Sequence, residues 1–509
     1  MKWMVILIIP IILFSSTCAI AQTREKTEVQ EDKLLISISD SIKFALMNNL
    51  ELMLEKLNPL AAGTDVISQK ANFDPSLSLE AKNSKNITPS ASKLLAGLEA
   101  VEIVEIDQKN NDLNISLKQN LLTGGNYELK FNNNRSDSNE AFNILNPSFS
   151  SDLSLTVSQP LLKGSGVDLT KTQINIALNS LTQSRYSLEE KVMDLVLEVY
   201  KTYWDLVFSL ENLKIQQQLL GSANDLLEMN RIKVELGTLA PIEILVAEAG
   251  VASREENVLL AEKKVKDAED QIKRMMNPPN RTLLDNYTII PIQQPSLIKE
   301  IFKPDEVINI ASEARPDLKK EKIDLENKKI LYNQAKNQIL PSLDLKGNAG
   351  LNGLGAKYSE NIDELISRDF YTWEVDLTMS IPLGNRAAKA NLSKQGIEIE
   401  RSNISIKNLE QKIVVEVKEA VRRVETDIKR MESTKKARIL AEKKLQAEQE
   451  RYKVGLSNSR ELLRFQDDLS DARGKELSAI IDYNKSLAEI EKVKGTILKT
   501  NQIAVKDYN

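Results

Sequence analysis

One short stretch occurs twice in this chain, and it limits the available folds more than any other feature. It reads Ser158-Gln159-Pro160-Leu161-Leu162-Lys163-Gly164 and again Ser380-Ile381-Pro382-Leu383-Gly384-Asn385-Arg386. Each copy follows a segment with period 2. Leu153, Leu155 and Val157 alternate with polar residues before the first; Trp373, Val375, Leu377 and Met379 do so before the second. Such alternation marks a strand with two unlike faces. Proline cannot donate to a strand ladder and glycine relaxes the backbone, so Pro160 and Pro382 are expected strand–helix junctions. A chain that changes period from 2 to 3.6 at two equivalent points is expected to be a tandem duplication.

The spacing supports this. Ala45, Leu52 and Pro75 are separated by the same steps as Ala311, Leu318 and Pro341, and Pro75-Ser76-Leu77-Ser78-Leu79 parallels Pro341-Ser342-Leu343-Asp344-Leu345. A helix with Ile42, Ala45, Leu46, Leu50, Leu54 and Leu57 along one face is expected from about Ser39 to Phe73. Between Pro75 and Gln159 four alternating segments appear: 77–82, 113–117, 127–131 and 153–157, with a glycine-rich hairpin signal over 121–126. The stretches 85–111 and 135–150, rich in polar residues, read as solvated loops. The second half carries only two such segments, 343–349 and 373–381, so the first half holds one extra hairpin.

After each junction comes a long seam. Leu188, Val192, Leu195, Val199, Tyr203, Leu206, Leu210 and Leu213 step by four and three; so do Ile413, Val417, Val421, Val424, Ile428 and Met431. The seams run to Gly237 and Gly455, far enough for rods of about 100 Å at the helical rise. A return helix is expected after each glycine, over 240–276 and 459–498. The expected organisation is then a signal peptide over 1–21, a polar flexible segment over 22–36, a first repeat over 37–276, a proline-rich linker over 277–304, a second repeat over 305–500 and a tail over 501–509.

Composition narrows the chemistry. Lys2, the apolar run 5–14 and Ala19-Ile20-Ala21 form an export signal with a small-x-small cleavage site. Cys18 is the sole cysteine; Ser15-Ser16-Thr17 is a poor lead-in for lipidation at Cys18. With no histidine and no cysteine beyond the cleavage site, disulfides, Cys/His zinc sites and histidine bases are excluded. No cofactor is expected. A net charge of −5 implies no general attraction to nucleic acid. No later run is long and apolar enough for a transmembrane helix, so any membrane span must be made of strands. Four to six strands cannot close a barrel around a pore, and an open edge cannot sit in lipid, so the chain must assemble with copies of itself.

With these features in this order, the chain resembles the TolC family of outer membrane efflux proteins over about 37–500. The resemblance rests on the twin Pro-Ser-Leu-x-Leu starts, the Gln-Pro-Leu and Ile-Pro-Leu junctions, Gly237 with Leu245-Val246-Ala247-Glu248, and Arg451-Tyr452-Lys453-Val454-Gly455 with Glu461-Leu462-Leu463. It implies a mainly helical fold with transmembrane β-structure: a homotrimer whose outer membrane barrel continues into a periplasmic coiled-coil barrel. It also implies a passive exit duct, not an enzyme, serving efflux or type I secretion. Its implied partners are outer membrane lipid, a periplasmic adaptor (membrane fusion protein) and, through the adaptor, an inner membrane pump of the RND, ABC or MFS class. The usual four strands per chain give a 12-stranded barrel; the extra hairpin around 112–134 gives 18, or else folds outside the membrane.

The resemblance also carries site residues. Glu243 and Glu461, six positions after the tip glycines, match acids that constrict the duct, and a ring of three Glu461 would favour cations. The plainer reading is a carboxylate stabilised in a first helical turn. At the position of a second family acid stands Arg464, which can pair with Glu461. Tyr452 matches a tyrosine that holds the closed tip; otherwise it is a packing aromatic. Gly237 and Gly455 are assigned the helix-tip turns, with adaptor docking beside them. Two other classes are alternatives: a periplasmic coiled-coil tether or adaptor, for which amphipathic strands have no purpose, and a secreted hydrolase, for which no nucleophile or acid-pair motif stands out.

Overall fold

A computed structural model describes residues 33–90, 103–140, 143–277 and 287–504. The export signal, Cys18 and the end of the tail lie outside the described residues.

The order of elements repeats, as the duplication requires. The first repeat contains β1 (Lys33–Ile36), α1 (Ile38–Asn48), α2 (Leu50–Lys70), β2 (Ser76–Ser90), β3 (Val104–Asn120), β4 (Asn126–Ser138), β5 (Ser148–Pro160), α3 (Thr172–Glu235) and α4 (Ile242–Met276). The second contains β6 (Thr288–Pro291), α5 (Pro304–Ala314), α6 (Pro316–Gln338), β7 (Ser342–Gly355), α7 (Tyr358–Ser367), β8 (Tyr371–Ser380), α8 (Arg386–Lys453) and α9 (Ser459–Val493). The rods α3 and α8 have 64 and 68 residues, close to 100 Å each. Each lies beside a shorter helix on its strand side, α2 or α6, and a return helix on its far side, α4 or α9.

β2, β3, β4, β5, β7 and β8 form one antiparallel sheet in that order. The extra hairpin therefore pairs in the same sheet as the other strands. Register gives the sheet two unlike faces. Leu77, Leu117, Leu129, Leu155, Ala349 and Trp373 lie side by side across all six strands, with Leu79, Ile115, Phe131, Leu153, Leu351 and Tyr371 as the next row. The opposite face presents Ser78, Ser116, Lys130, Ser154, Gly350 and Thr372. A sheet with a continuous apolar band on one side and a polar other side suits a wall between lipid and water. β2 and β8 are its two free edges.

Several expectations are corrected. The strands have 10 to 17 residues, because 85–90, 104–111, 135–138 and 148–150 are strand rather than loop. Ladder bonds join backbone groups, so largely polar stretches can extend the strands. Residues 33–36, read as flexible, pair in parallel with 288–291, so the linker also carries a strand. The single helix over 39–73 is two, because Asn49 adopts an extended conformation and caps the second with its side chain on the Leu52 N–H at 3.0 Å. That break turns the apolar face. Ile42, Ala45 and Leu46 are buried, whereas Leu50, Leu54 and Leu57 are exposed, and the residues α2 buries are Leu52, Pro59 and Val66. In the second repeat Arg315, also extended but without a side-chain cap, separates α5 from α6.

The main core lies where α1, α3, α4 and α9 meet, around Val192, Val199, Tyr203, Leu206, Ile272 and Ile481; its counterpart gathers Ile413, Val417, Val424, Leu318 and Tyr483. Leu210, Leu213 and Ile428 of the expected seams are only half-buried. Two buried tyrosines, Tyr203 of α3 and Tyr483 of α9, stitch the extended stretch after β6 to the helices. The Tyr203 hydroxyl donates to the Ile36 carbonyl at 3.2 Å and accepts from the Gln293 N–H at 3.0 Å; the Tyr483 hydroxyl donates to the Ile298 carbonyl at 2.5 Å and accepts from the Glu300 N–H at 3.0 Å. The tail begins packed, with Ile503 against the first core and Asn501 accepting from the Tyr200 hydroxyl at 2.9 Å.

Candidate functional site at the helical tip

Both rods end in the same way. The Gly237 N–H bonds the Val234 carbonyl at 2.9 Å and the Thr238 N–H bonds the Lys233 carbonyl at 2.9 Å; Gly455 and Leu456 bond Tyr452 and Arg451 at 3.2 and 2.9 Å. This paired arrangement needs a left-handed residue, and φ is +69° at Gly237 and +79° at Gly455. The two hairpins, α3/α4 and α8/α9, lie side by side with their tips together.

A polar clip joins all four helices there. Tyr452 of α8 is buried, and its hydroxyl donates to Oδ1 of Asn230 in α3 and lies 3.2 Å from Oγ of Ser459 in α9. Asn230 donates from Nδ2 to the Ser459 hydroxyl at 2.8 Å and to the Glu243 carbonyl of α4 at 3.0 Å. Glu243 accepts the Ser459 N–H at 3.0 Å, so an acid of one hairpin caps the return helix of the other. Lys233 covers the clip, its ammonium 4.3 Å from the Tyr452 ring centre and 3.3 Å from the Tyr452 carbonyl. Burial, reinforced by the Glu243 carboxylate, pushes the Tyr452 hydroxyl above its ordinary pKa, so it stays a donor at neutral pH. Ala223, Leu226, Leu462 and Leu463 pack around it.

Glu461 and Arg464 stand apart from this clip. They pair with each other at 2.8 Å, with the Arg464 side chain 61% exposed. Glu461 sits in the first turn of α9, where Asn458 caps its N–H at 2.9 Å. The structure thus joins Tyr452 and Glu243 and leaves Glu461 with Arg464.

Sequence reasoning missed Asn230 and Ser459, which lie 229 positions apart. It also missed Arg254 of α4, which is 4% exposed, donates to the Leu463 carbonyl at 3.2 Å and reaches Asp467 at 2.7 Å. Burial raises the Asp467 carboxyl, and the neighbouring Asp471 and Asp468 add to the shift against the pull of Arg254. No periodic signal marks these residues. The rod carries many uncharged polar residues, Asn212, Gln216 and Asn224 among them, so residue type alone does not single out Asn230.

Among the described residues no cluster of acids has metal-site geometry, and no helix is long and apolar enough to cross a membrane. A sheet with an apolar band, continued by rods longer than a membrane is thick and joined at the tip by a polar clip, defines a channel subunit. Residues 42–278 and 307–496 match the family model described as outer membrane efflux protein, and the chain belongs to that family. It is an outer membrane efflux channel with a helical part in the periplasm. Channels of this family are trimeric and work with adaptors and inner membrane pumps; the family is one of transport ducts, not of enzymes.

Solved structures share the fold. A membrane protein from Pseudomonas aeruginosa superposes with a TM-score of 0.66 at 18% identity, covering 90% of this chain and 93% of that one. The CmeC outer membrane channel of Campylobacter jejuni gives 0.63 at 17%, covering 90% and 86%. The open state of the MtrE outer membrane channel of Neisseria gonorrhoeae gives 0.61 at 18%, covering 91% and 89%. A search of curated proteins finds no match by sequence.

Proposed function

We propose that three copies of this chain close a duct of 18 strands and a ring of coiled rods, and that its inner end is gated by the tip clip. One observation carries the assembly: among the described residues, the main packing and strand contacts between repeats lack their equivalents. α3 packs on α6 across the repeats, but α8 has no α2 beside it, and β2 and β8 stay unpaired. The orphaned faces are apolar. Leu50, Leu54, Leu57, Leu60 and Ile67 are exposed on α2, and Ile397 and Ile404 on α8. A neighbouring copy supplies all the missing partners at once.

In this reading the duct is passive. Tyr452 and Glu243 hold the tip closed, and the Glu461–Arg464 pairs line its rim. The tip turns at Gly237 and Gly455 are the contact for a periplasmic adaptor fed by an inner membrane pump of the RND, ABC or MFS class, for efflux or type I secretion. In this reading the repeats proper span 37–276 and 305–500, and 277–304, which carries β6, is an equatorial linker between them. The adaptor-like alternative leaves the sheet's apolar band without a role. The experiment is outer membrane fractionation with gel mobility before and after boiling. A heat-modifiable trimer in the membrane fraction is expected; a soluble periplasmic monomer overturns the reading.

A further inference from the structure

The helix α7 lies between β7 and β8, at the end of the sheet away from the rods. It rests on the apolar side of the sheet rather than over the polar side. Asn361 and Leu365 are buried against it, and Asn361 donates from Nδ2 to Oγ of Ser151 at 2.6 Å, which in turn donates to Asn133 at 2.6 Å. Ser151 pairs with Asn133 and Gly353, and all three point to the same side as Leu153, Phe131 and Leu351. Two glycines make the seat. A Cβ at Gly353 would meet the Asn361 carbonyl oxygen at 2.2 Å, and one at Gly355 would meet the Asn361 nitrogen at 2.6 Å. α7 therefore begins where the apolar band stops, on the same side.

Its outer surface is divided. Tyr358, Ile362 and Ile366 step by four along one flank, while Glu360, Asp363 and Glu364 occupy the other. Tyr358 and Ile366 are 52% and 67% exposed, and Phe370 and Tyr371, just beyond the helix, 57% and 66%. Lys357 and Arg368 bracket the helix.

We infer that α7 is an interfacial anchor, with Tyr358, Ile366 and Phe370 set into the outer leaflet at the headgroup boundary. The occupant is lipid because the patch continues the lipid-facing band without interruption: Gly353 follows Leu351 on the same face of β7, and Tyr371 opens β8. An amphipathic helix lying in the interface, with aromatic residues at headgroup level and basic residues at its ends, is a stable arrangement. Three such helices would form a collar that fixes the depth of the barrel. The inference rests on the outer membrane reading above.

The test uses the full-length trimer in liposomes with one spin-labelled cysteine at a time, Cys18 being the sole native cysteine. Ile366→Cys is compared with Trp373→Cys in the apolar band and Ser154→Cys on the polar face. Collision with dissolved oxygen reports lipid, and collision with a nickel chelate reports water. Ile366→Cys is expected to match Trp373→Cys, with oxygen dominant. If Trp373→Cys is in lipid but Ile366→Cys behaves like Ser154→Cys, the anchor is refuted and the channel reading stands. A label at Ile366→Cys shielded from both probes means a protein partner, and also refutes it. If Trp373→Cys itself reports water, the membrane assignment of the sheet fails and the anchor falls with it.

Discussion

Removing the Tyr452 hydroxyl tests the tip clip most directly. In Tyr452→Phe the ring keeps its packing against Leu226, Leu462 and Leu463, so little apolar burial is lost. What is lost is the donor to Asn230 Oδ1 and the contact with Ser459 Oγ. Asn230 and Ser459 are both fully buried, so Oδ1 is left without its tyrosine donor and with no ready access to water. A buried acceptor stripped of its donor costs about 1–3 kcal/mol. If that cost falls on the closed tip alone, the ratio of open to closed channels rises roughly 5- to 150-fold. Opening must separate the hairpins, which exposes the same groups to water and relieves the penalty, so the open state should escape it. The assay is single-channel recording in planar bilayers, with the open fraction and conductance of Tyr452→Phe, Ser459→Ala and the double variant. The clip acts as a unit, so the double variant should open less than the product of the two single effects. Unchanged open fractions in all three, with trimers intact, would refute the idea that this network holds the tip shut.

Other outcomes follow from the same geometry. Gly455→Ala forces a Cβ into the left-handed region and should cost about 1 kcal/mol, read as a small fall in thermal midpoint; an unchanged midpoint would mean the turn relaxes freely. Leu54→Glu with Leu57→Glu places charge on the exposed α2 face and should convert heat-modifiable trimer to monomer on gels, since each leucine loses roughly 1.5–3 kcal/mol of burial in the assembly. Glu461→Gln breaks an exposed pair worth about 0–1 kcal/mol, so stability should hold while cation-over-anion permeability, measured as reversal potential, falls if the acids ring the pore. Asp317 gives a pH dependence. Burial works to raise its carboxyl, but the bidentate Arg315 bonds at 2.7 and 3.1 Å and the Leu318 N–H outweigh it and hold its pKa below the usual carboxylate range. A depressed acid stabilises the fold above its unfolded pKa and loses that contribution as pH falls through the folded one. Denaturation midpoints should drop at acidic pH, and Asp317→Asn should flatten that drop.

The sequence alone determined the elements that depend on local period. Alternation at 153–157 and 373–379, the prolines that end it, and the four-three seams after them are properties of neighbouring residues, legible without a fold. So was the twofold plan, because both repeats keep their punctuation at matched spacing. Tertiary structure decided what depends on partners far along the chain. Polar strand such as 108–111 carries no apolar alternation, and only pairing with β2 and β4 makes it strand. The turn of the apolar face at Asn49 depends on a cap that composition does not announce. Asn230 and Ser459 meet across two hairpins, and α7 chooses the lipid side through a notch of two glycines. Burial of polar groups is settled by geometric fit between distant segments, and fit of that kind leaves no periodic trace in either segment.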